Sequence, residues 1–351
     1  MPRSSPPGID LGMSEQAESS ERNNMSYLLR GIAANGGIRV VAADSTELVK
    51  EAQRRHDATA TAGAALGRTL TGALLLAHVL LKNPQDRVTL RLRGDGELGG
   101  VIADAGLDGT VRGYAREPRV SLPPRDDGKL DVGKAVGKGD IEVIRSHAPY
   151  GDPYSSSVPL VSGEVAEDIA VFLARSEQIR SAVLLGVYFE GGRVAKAGGV
   201  LLQALPGADE AALNLLEANV RAFGQLTDVL RRVSLIEAVE ELCWGLEFEL
   251  LTENALPLSF SCRCSDAKAV DALAYFSLEE RESMIFDDGG AEVVCHWCGD
   301  KRWVEPTAIR GISRNEVRCP DCDTLWHRQG QATMIREDEL CSCGKRVELP
   351  A

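Results

Sequence analysis

Between Val88 and Arg93 apolar and polar residues alternate, Val88, Leu90 and Leu92 on one face and Thr89, Arg91 and Arg93 on the other. That two-residue period belongs to a half-buried β-strand. Glycine-containing turns at Gly94 to Gly96 and Gly106 to Gly109 then reverse the chain, so a β-meander is expected here. Upstream, Ile38 to Ala42 has the pattern of a short strand. Ala60 to Lys82 is rich in Ala and Leu and predicts a helix that Gly63, Gly67 and Gly72 weaken without breaking. Downstream, Pro123 to Gly139 is a loop dense in Gly, Pro, Lys and Asp, and Val165, Ile169, Phe172 and Leu173 fall at helical spacing. Two further strands are expected at Ala182 to Glu190 and Arg193 to Leu205. Strands and helices mixed in this order make residues 25–208 an α+β core domain of sheet and helix.

The pattern changes after Pro206. Leu216, Val220, Phe223, Leu226, Leu230 and Val233 form one apolar stripe, and Ser234 with Glu237 makes a capping box for a second helix carrying Leu235, Val239, Leu242 and Leu246. Residues 209–258 are thus expected to be a helical linker. Residues 1–24 are polar and rich in Ser, Pro and Glu, the composition of a disordered tail, with Met13 and Met25 as alternative starts to Met1.

Apolar residues make up 44% of the chain and aromatics only 5%, so the core must be built from Leu, Val, Ala and Ile. A net charge of −13 argues against a nucleic-acid or anionic-membrane binder, since both need clustered Lys and Arg. No apolar leader precedes the core, and the most apolar run, Gly72 to Leu81, is too short to span a bilayer. A cytoplasmic protein is expected. In that reducing compartment nine cysteines point to metal or redox chemistry rather than structural disulfides.

Two look-alike motifs fall away. Gly94-Asp95-Gly96-Glu97-Leu98-Gly99 has the spacing of a dinucleotide loop, but the strand pattern of Val101 and Ile102 follows where a helix should open. Gly128 to Lys134 has phosphate-loop spacing, but Ala135 stands where a hydroxyl should meet Mg²⁺ and no apolar strand precedes it. ATP binding is rejected, and nothing in the chain proposes an enzyme.

The cysteines carry the chemistry. Cys262-Arg263-Cys264 is followed thirty residues later by Cys295-His296-Trp297-Cys298. Two close pairs of thiolates suit a tetrahedral Zn²⁺ site, each pair approaching from one turn. By spacing alone a permanently closed zinc knuckle is favoured over a sensor; the CxC pair, whose sulfurs are neighbours even without metal, shifts the balance somewhat toward the sensor. A third and fourth pair follow, Cys319-Pro320-Asp321-Cys322 and Cys341-Ser342-Cys343, and suggest a second zinc site. Two pairings stay open: the sequential one, or Cys295 and Cys298 joined with Cys319 and Cys322. A nucleic-acid-binding ribbon is disfavoured, since residues 301–351 hold nine Lys and Arg against eight Asp and Glu. Cys243 stands apart and is expected to be buried in a helix.

Ser259 to Ser265 and Glu292 to Cys298 resemble the zinc module of the heat-shock-33 redox-regulated holdase family. The resemblance takes in Leu66-Gly67-Arg68, Gly94 through Tyr114, Ser176-Glu177-Gln178 and Ala197 through Gly207, and so spans roughly Met25 to Pro306. It implies an ATP-independent chaperone, inactive while reduced and zinc-bound. Oxidants would form disulfides Cys262–Cys264 and Cys295–Cys298, zinc would be lost, and the module and linker would unfold. The exposed apolar surface would then hold unfolded or oxidatively damaged client proteins, with formation of a homodimer. Residues 259–306 would be the redox-sensing zinc module and 307–351 a second, ribbon-like module beyond the family's usual end. Tyr154 to Pro159 also departs from the family's usual turn. The competing expectation is a constitutive zinc-stabilised adaptor for RNA, ribosome or a protein partner, without redox gating.

Overall fold

The computed structural model describes residues 25–147, 152–251 and 255–312, with the backbone alone of 316–318 and 325–327. It divides into two compact units, residues 1–262 and 263–351. In the first, five strands make one sheet in the order β10 (Glu249–Leu250), β1 (Tyr27–Ala33), β2 (Ile38–Asp44), β9 (Arg193–Ala204) and β8 (Ser181–Glu190), and β11 (Leu256–Pro257) also pairs with β1. The second sheet runs β12 (Ser259–Phe260), β5 (Thr110–Ala115), β4 (Val101–Gly106), β3 (Arg87–Gly94), β6 (Gly139–Ser146) and β7 (Tyr154–Pro159). Pairing is antiparallel except between β12 and β5. The meander expected at Val88 to Tyr114 is β3–β4–β5, and the segment from Tyr154 to Pro159 forms the edge strand β7.

The helices of this unit are α1 (Thr46–His56), α2 (Ala60–Leu80), α3 (Val132–Val136), α4 (Ala166–Arg175), α5 (Glu210–Phe223), α6 (Leu226–Leu230) and α7 (Leu235–Leu242). Thr59 caps α2, its side chain accepting from the amide of Ala62. By length and hydropathy α2 could cross a membrane, but 78% of its most apolar window is buried. It is a core helix. Its glycines are packing residues: a Cβ on Gly67 would lie 2.6 Å from Val49 Cγ1, and one on Gly72 would lie 2.5 Å from Ile169 Cδ1. They let α1, β8 and α4 approach the helix more closely than any side chain would.

The first sheet is apolar on both faces, and strand alternation shows how. Leu28, Val41, Ala43 and Leu201 join α2 in one core. Their neighbours Leu29, Val40, Ala42, Val200 and Leu202 join a separate core built from the helices after Pro206. There Leu213, Leu216, Phe223, Leu226, Val229 and Leu230 meet Leu235, Ala238, Val239, Leu242 and Leu246. The apolar stripe expected through Val233 is therefore the packing face, but not of one helix. Gly224, at φ +77°, ends α5 and turns the chain into α6. The Ser234 capping box forms, with Ser234 accepting from the amide of Glu237 and Glu237 accepting from that of Ser234.

Cys243 is 3% exposed inside this second core, and burial pushes its thiol up to about 12. With almost no thiolate available, it should resist maleimide for as long as the helices stay on the sheet. Labelling followed by mass spectrometry checks this; modification of Cys243 in the folded, reduced protein as fast as in urea would contradict the packing.

The second unit holds α8 (Asp266–Leu273), α9 (Leu278–Phe286), the hairpin β13 (Ala291–Val294) and β14 (Lys301–Val304), α10 (Pro306–Arg310), and β15 (Glu316–Arg318) with β16 (Leu325–His327). Its core is small: Ala269, Leu273, Val304 and Ile309 are buried, with Ile312 packed against them. Ile309 and Ile312 lie beyond residue 306, where the first module was expected to end. Residues 1–24 and Cys319, Cys322, Cys341 and Cys343 lie outside the described residues.

Candidate metal centre

Three local structures position the first four cysteines. Leu258, Ser259 and Ser261 donate amide hydrogen bonds to the carbonyls of Ser26, Gly109 and Val111, which fixes the approach to Cys262 along the edge of β5. Cys264 directly precedes Ser265, the cap of α8, whose side chain accepts from the amide of Lys268. Cys295 and Cys298 sit in the tight turn of the β13–β14 hairpin. Its bonds run from Cys295 N to Asp300 O (2.9 Å), Cys298 N to Cys295 O (3.3 Å) and Gly299 N to Cys295 O (2.7 Å). Gly299 takes φ +74°, the left-handed conformation such a turn needs.

The four sulfurs converge, all lying within 4.8 Å of one another, with Cys264 Sγ 3.5 Å from Cys298 Sγ. Four sulfurs held about 2.3 Å from one zinc ion in a tetrahedron lie about 3.8 Å apart. The donor set, its number and its spacing fit zinc, and Cys298, only 1% exposed, gives the site a dry side.

One neighbour of the site had no sequence signal. Arg302 places Nη2 3.5 Å from Cys264 Sγ and pairs through Nη1 with Asp266. The sulfur and the carboxylate together hold this guanidinium above its ordinary range. The guanidinium is an outer contact of a candidate metal-ligand sulfur, the kind of contact that orients and holds the ligand. Arg302→Met should therefore loosen zinc about 10-fold, the lower end of what such outer contacts contribute. Competition with a chromogenic chelator measures this, and an unchanged affinity would remove Arg302 from the site.

The two look-alike loops are accounted for. Gly94 ends β3 and Val101 opens β4, so the apparent dinucleotide loop is a hairpin. In the apparent phosphate loop the amide of Gly133 is committed to Glu164 Oε1 at 3.2 Å.

A family model described as Hsp33 protein matches residues 26–305. A 33 kDa chaperonin of Thermus thermophilus is 52% identical over 337 residues, which cover 93% of this chain and 98% of the relative. That of Deinococcus radiodurans is 50% identical over 293 residues, 83% of this chain and 99% of its own. The crystal structure of the 33 kDa chaperonin from Thermotoga maritima matches with a TM-score of 0.74 at 30% identity, covering 82% of this chain and 97% of that one. These relatives are named as chaperones and not as enzymes. A match over 93% of the chain has to take in part of residues 306–351, so the Thermus relative shares some of the extension that lies beyond the family model.

Proposed function

The chain belongs to the Hsp33 family of chaperones, and from that membership we propose that it is an ATP-independent holdase, shut by its linker and opened by oxidation of Cys262, Cys264, Cys295 and Cys298. The observation that carries this is the double-faced first sheet. Its outer face presents Leu29, Val40, Ala42, Val200 and Leu202, helices α5 to α7 pack on them, and the same stretch of chain runs on to the cysteines. A cover that is tied to an oxidisable centre is a gate.

Zn²⁺, when bound, ties the four thiolates into one tetrahedral centre and supplies most of the module's stability. Peroxide takes two electrons from each cysteine pair. One S–S bond forms between Cys262 and Cys264 and one between Cys295 and Cys298, and each peroxide O–O bond breaks to give two hydroxide ions. No ligand set then remains. The module, left with the small core around Leu273 and Ile309, unfolds, and the linker is no longer followed by a folded unit. The freed face of Val40, Val200 and Leu202, together with the apolar sides of α5 to α7, binds unfolded or oxidatively damaged clients. The same surface on two copies is a route to a homodimer. A reducing cytoplasm sets the resting state.

The experiment compares the reduced protein with protein treated with peroxide at raised temperature, following light scattering from an unfolding client without nucleotide. Only the oxidised form should suppress aggregation. Equal protection by both forms would discard the gate and favour the constitutive adaptor.

A further inference from the structure

We propose that Gly186 and Gly198 form a notch in the first sheet that seats helix α6 and sets how readily the linker opens; this rests on the gate proposed above. The two glycines are directly opposed, Gly186 of β8 pairing with Gly198 of β9. Both face the linker. A Cβ on Gly186 would lie 2.5 Å from Thr227 Cγ2, and one on Gly198 would lie 2.7 Å from Leu230 Cδ1. Thr227 and Leu230 are three residues apart on α6, so one helical face enters the notch at two points. Both are buried, at 8% and 4% exposure. Gly199, by contrast, faces Leu185 and Thr71 on the α2 side.

Gly186 is not required by its backbone, because its φ lies outside the left-handed region. Neighbouring positions on the same face carry side chains: Leu184 packs in the linker core, and Tyr188 lies under the Arg231 guanidinium at 4.1 Å. A gap in that row of side chains, filled by a helix of the linker, has one structural consequence. The helix sits closer to the sheet there than any other residue pair would permit. Because α6 is only five residues long, its place depends on packing, of which this contact is a part beside the buried Leu226 and Val229, rather than on its own helical stability. The threshold for opening is therefore adjustable from the sheet side, without touching a cysteine.

The test uses the full chain, reduced and zinc-loaded. Gly186→Ala and Gly186→Val should leave the zinc-to-chain ratio at the parent value, yet raise the maleimide labelling rate of Cys243 about 10-fold or more, as overpacking of a buried contact predicts. Adding Thr227→Ala to Gly186→Ala removes the clashing Cγ2 and leaves the two Cβ atoms at the ordinary 3.5 Å. Labelling should then fall back to within about twofold of the parent. Parent-like labelling in both single variants would overturn the proposal. So would failure of the Thr227→Ala rescue, because the damage would then lie in the sheet itself. Cys243 labelling reads linker seating directly, so the seat is judged even if the oxidised parent protects no client, an outcome that would instead reject the holdase reading.

Discussion

Chelation without any oxidant should unfold residues 263–312 and leave residues 25–251 folded. Among the described residues the module's own core has only four buried residues, Ala269, Leu273, Val304 and Ile309, with partly buried side chains such as Met284, Ile285, Val293 and Ile312 against them. A unit of this size rarely draws more than ~3–5 kcal/mol from its apolar core. A structural zinc site contributes ~10–16 kcal/mol of apparent binding energy. Removing the larger contribution leaves the fold below its threshold. Hydrogen exchange is the direct measurement. Amides of β13 and β14 should lose at least about a thousandfold in protection, consistent with loss of several kcal/mol, while those of β2 and β9 keep theirs. Retained protection in β13 and β14 after complete metal removal would show that the cysteines do not hold the module together.

Under the gate proposed above, chelation alone is expected to leave the linker seated, because the chain between linker and cysteines is itself held on the core domain. Leu256–Pro257 pairs with β1, and Ser259–Phe260 pairs with β5. The Phe260 ring packs edge-on against His56 at 6.1 Å, with the Arg55 guanidinium 5.7 Å from its centroid. The linker is thus fastened to the core domain at its far end by backbone bonds, by Leu258, which is buried in the first core with Leu256 against it, and by the half-buried ring of Phe260.

The centre was legible in the sequence because its signal is local. Two CxC or CxxC pairs need no fold to be recognised, and four sulfurs within 4.8 Å are what their spacing predicts. The strands β3 to β5 and β8 to β9 were legible for a similar reason, since alternation and glycine turns are short-range. What was not legible depends on tertiary contact. Arg302 reaches Cys264 across thirty-eight positions of the chain. β12 is two residues long and exists only because β5 offers an edge. The break at Gly224 was hidden because the apolar stripe continues across it, α5 and α6 both packing into the same core. Gly186 reads as an ordinary weak point in a strand until Thr227 is seen against it.

The other large effect is expected from Cys262→Ser with Cys264→Ser, set against truncation after Ile312. The double substitution removes half of the donor set that the structure assembles. With two serine hydroxyls in place of thiolates, the first zinc should be lost, the module should unfold in reducing buffer, and protection of clients should no longer depend on oxidant. Truncation should do none of this. Ile309 is buried in the module's core, and the carbonyl of Ile312 accepts from Arg281 Nη1 at 3.3 Å, so a chain ending after Ile312 keeps every described contact of that core. An end at Pro306 would delete Ile309 and confuse the comparison. The full chain should carry two zinc ions, the second on Cys319, Cys322, Cys341 and Cys343, and the truncated chain one, still released by peroxide. If Cys295 and Cys298 instead share a metal with Cys319 and Cys322, the truncated chain will behave as the serine variant does. Metal analysis and client protection, reduced and oxidised, separate the two. Oxidant-independent protection by the truncated, reduced chain would refute the sequential pairing.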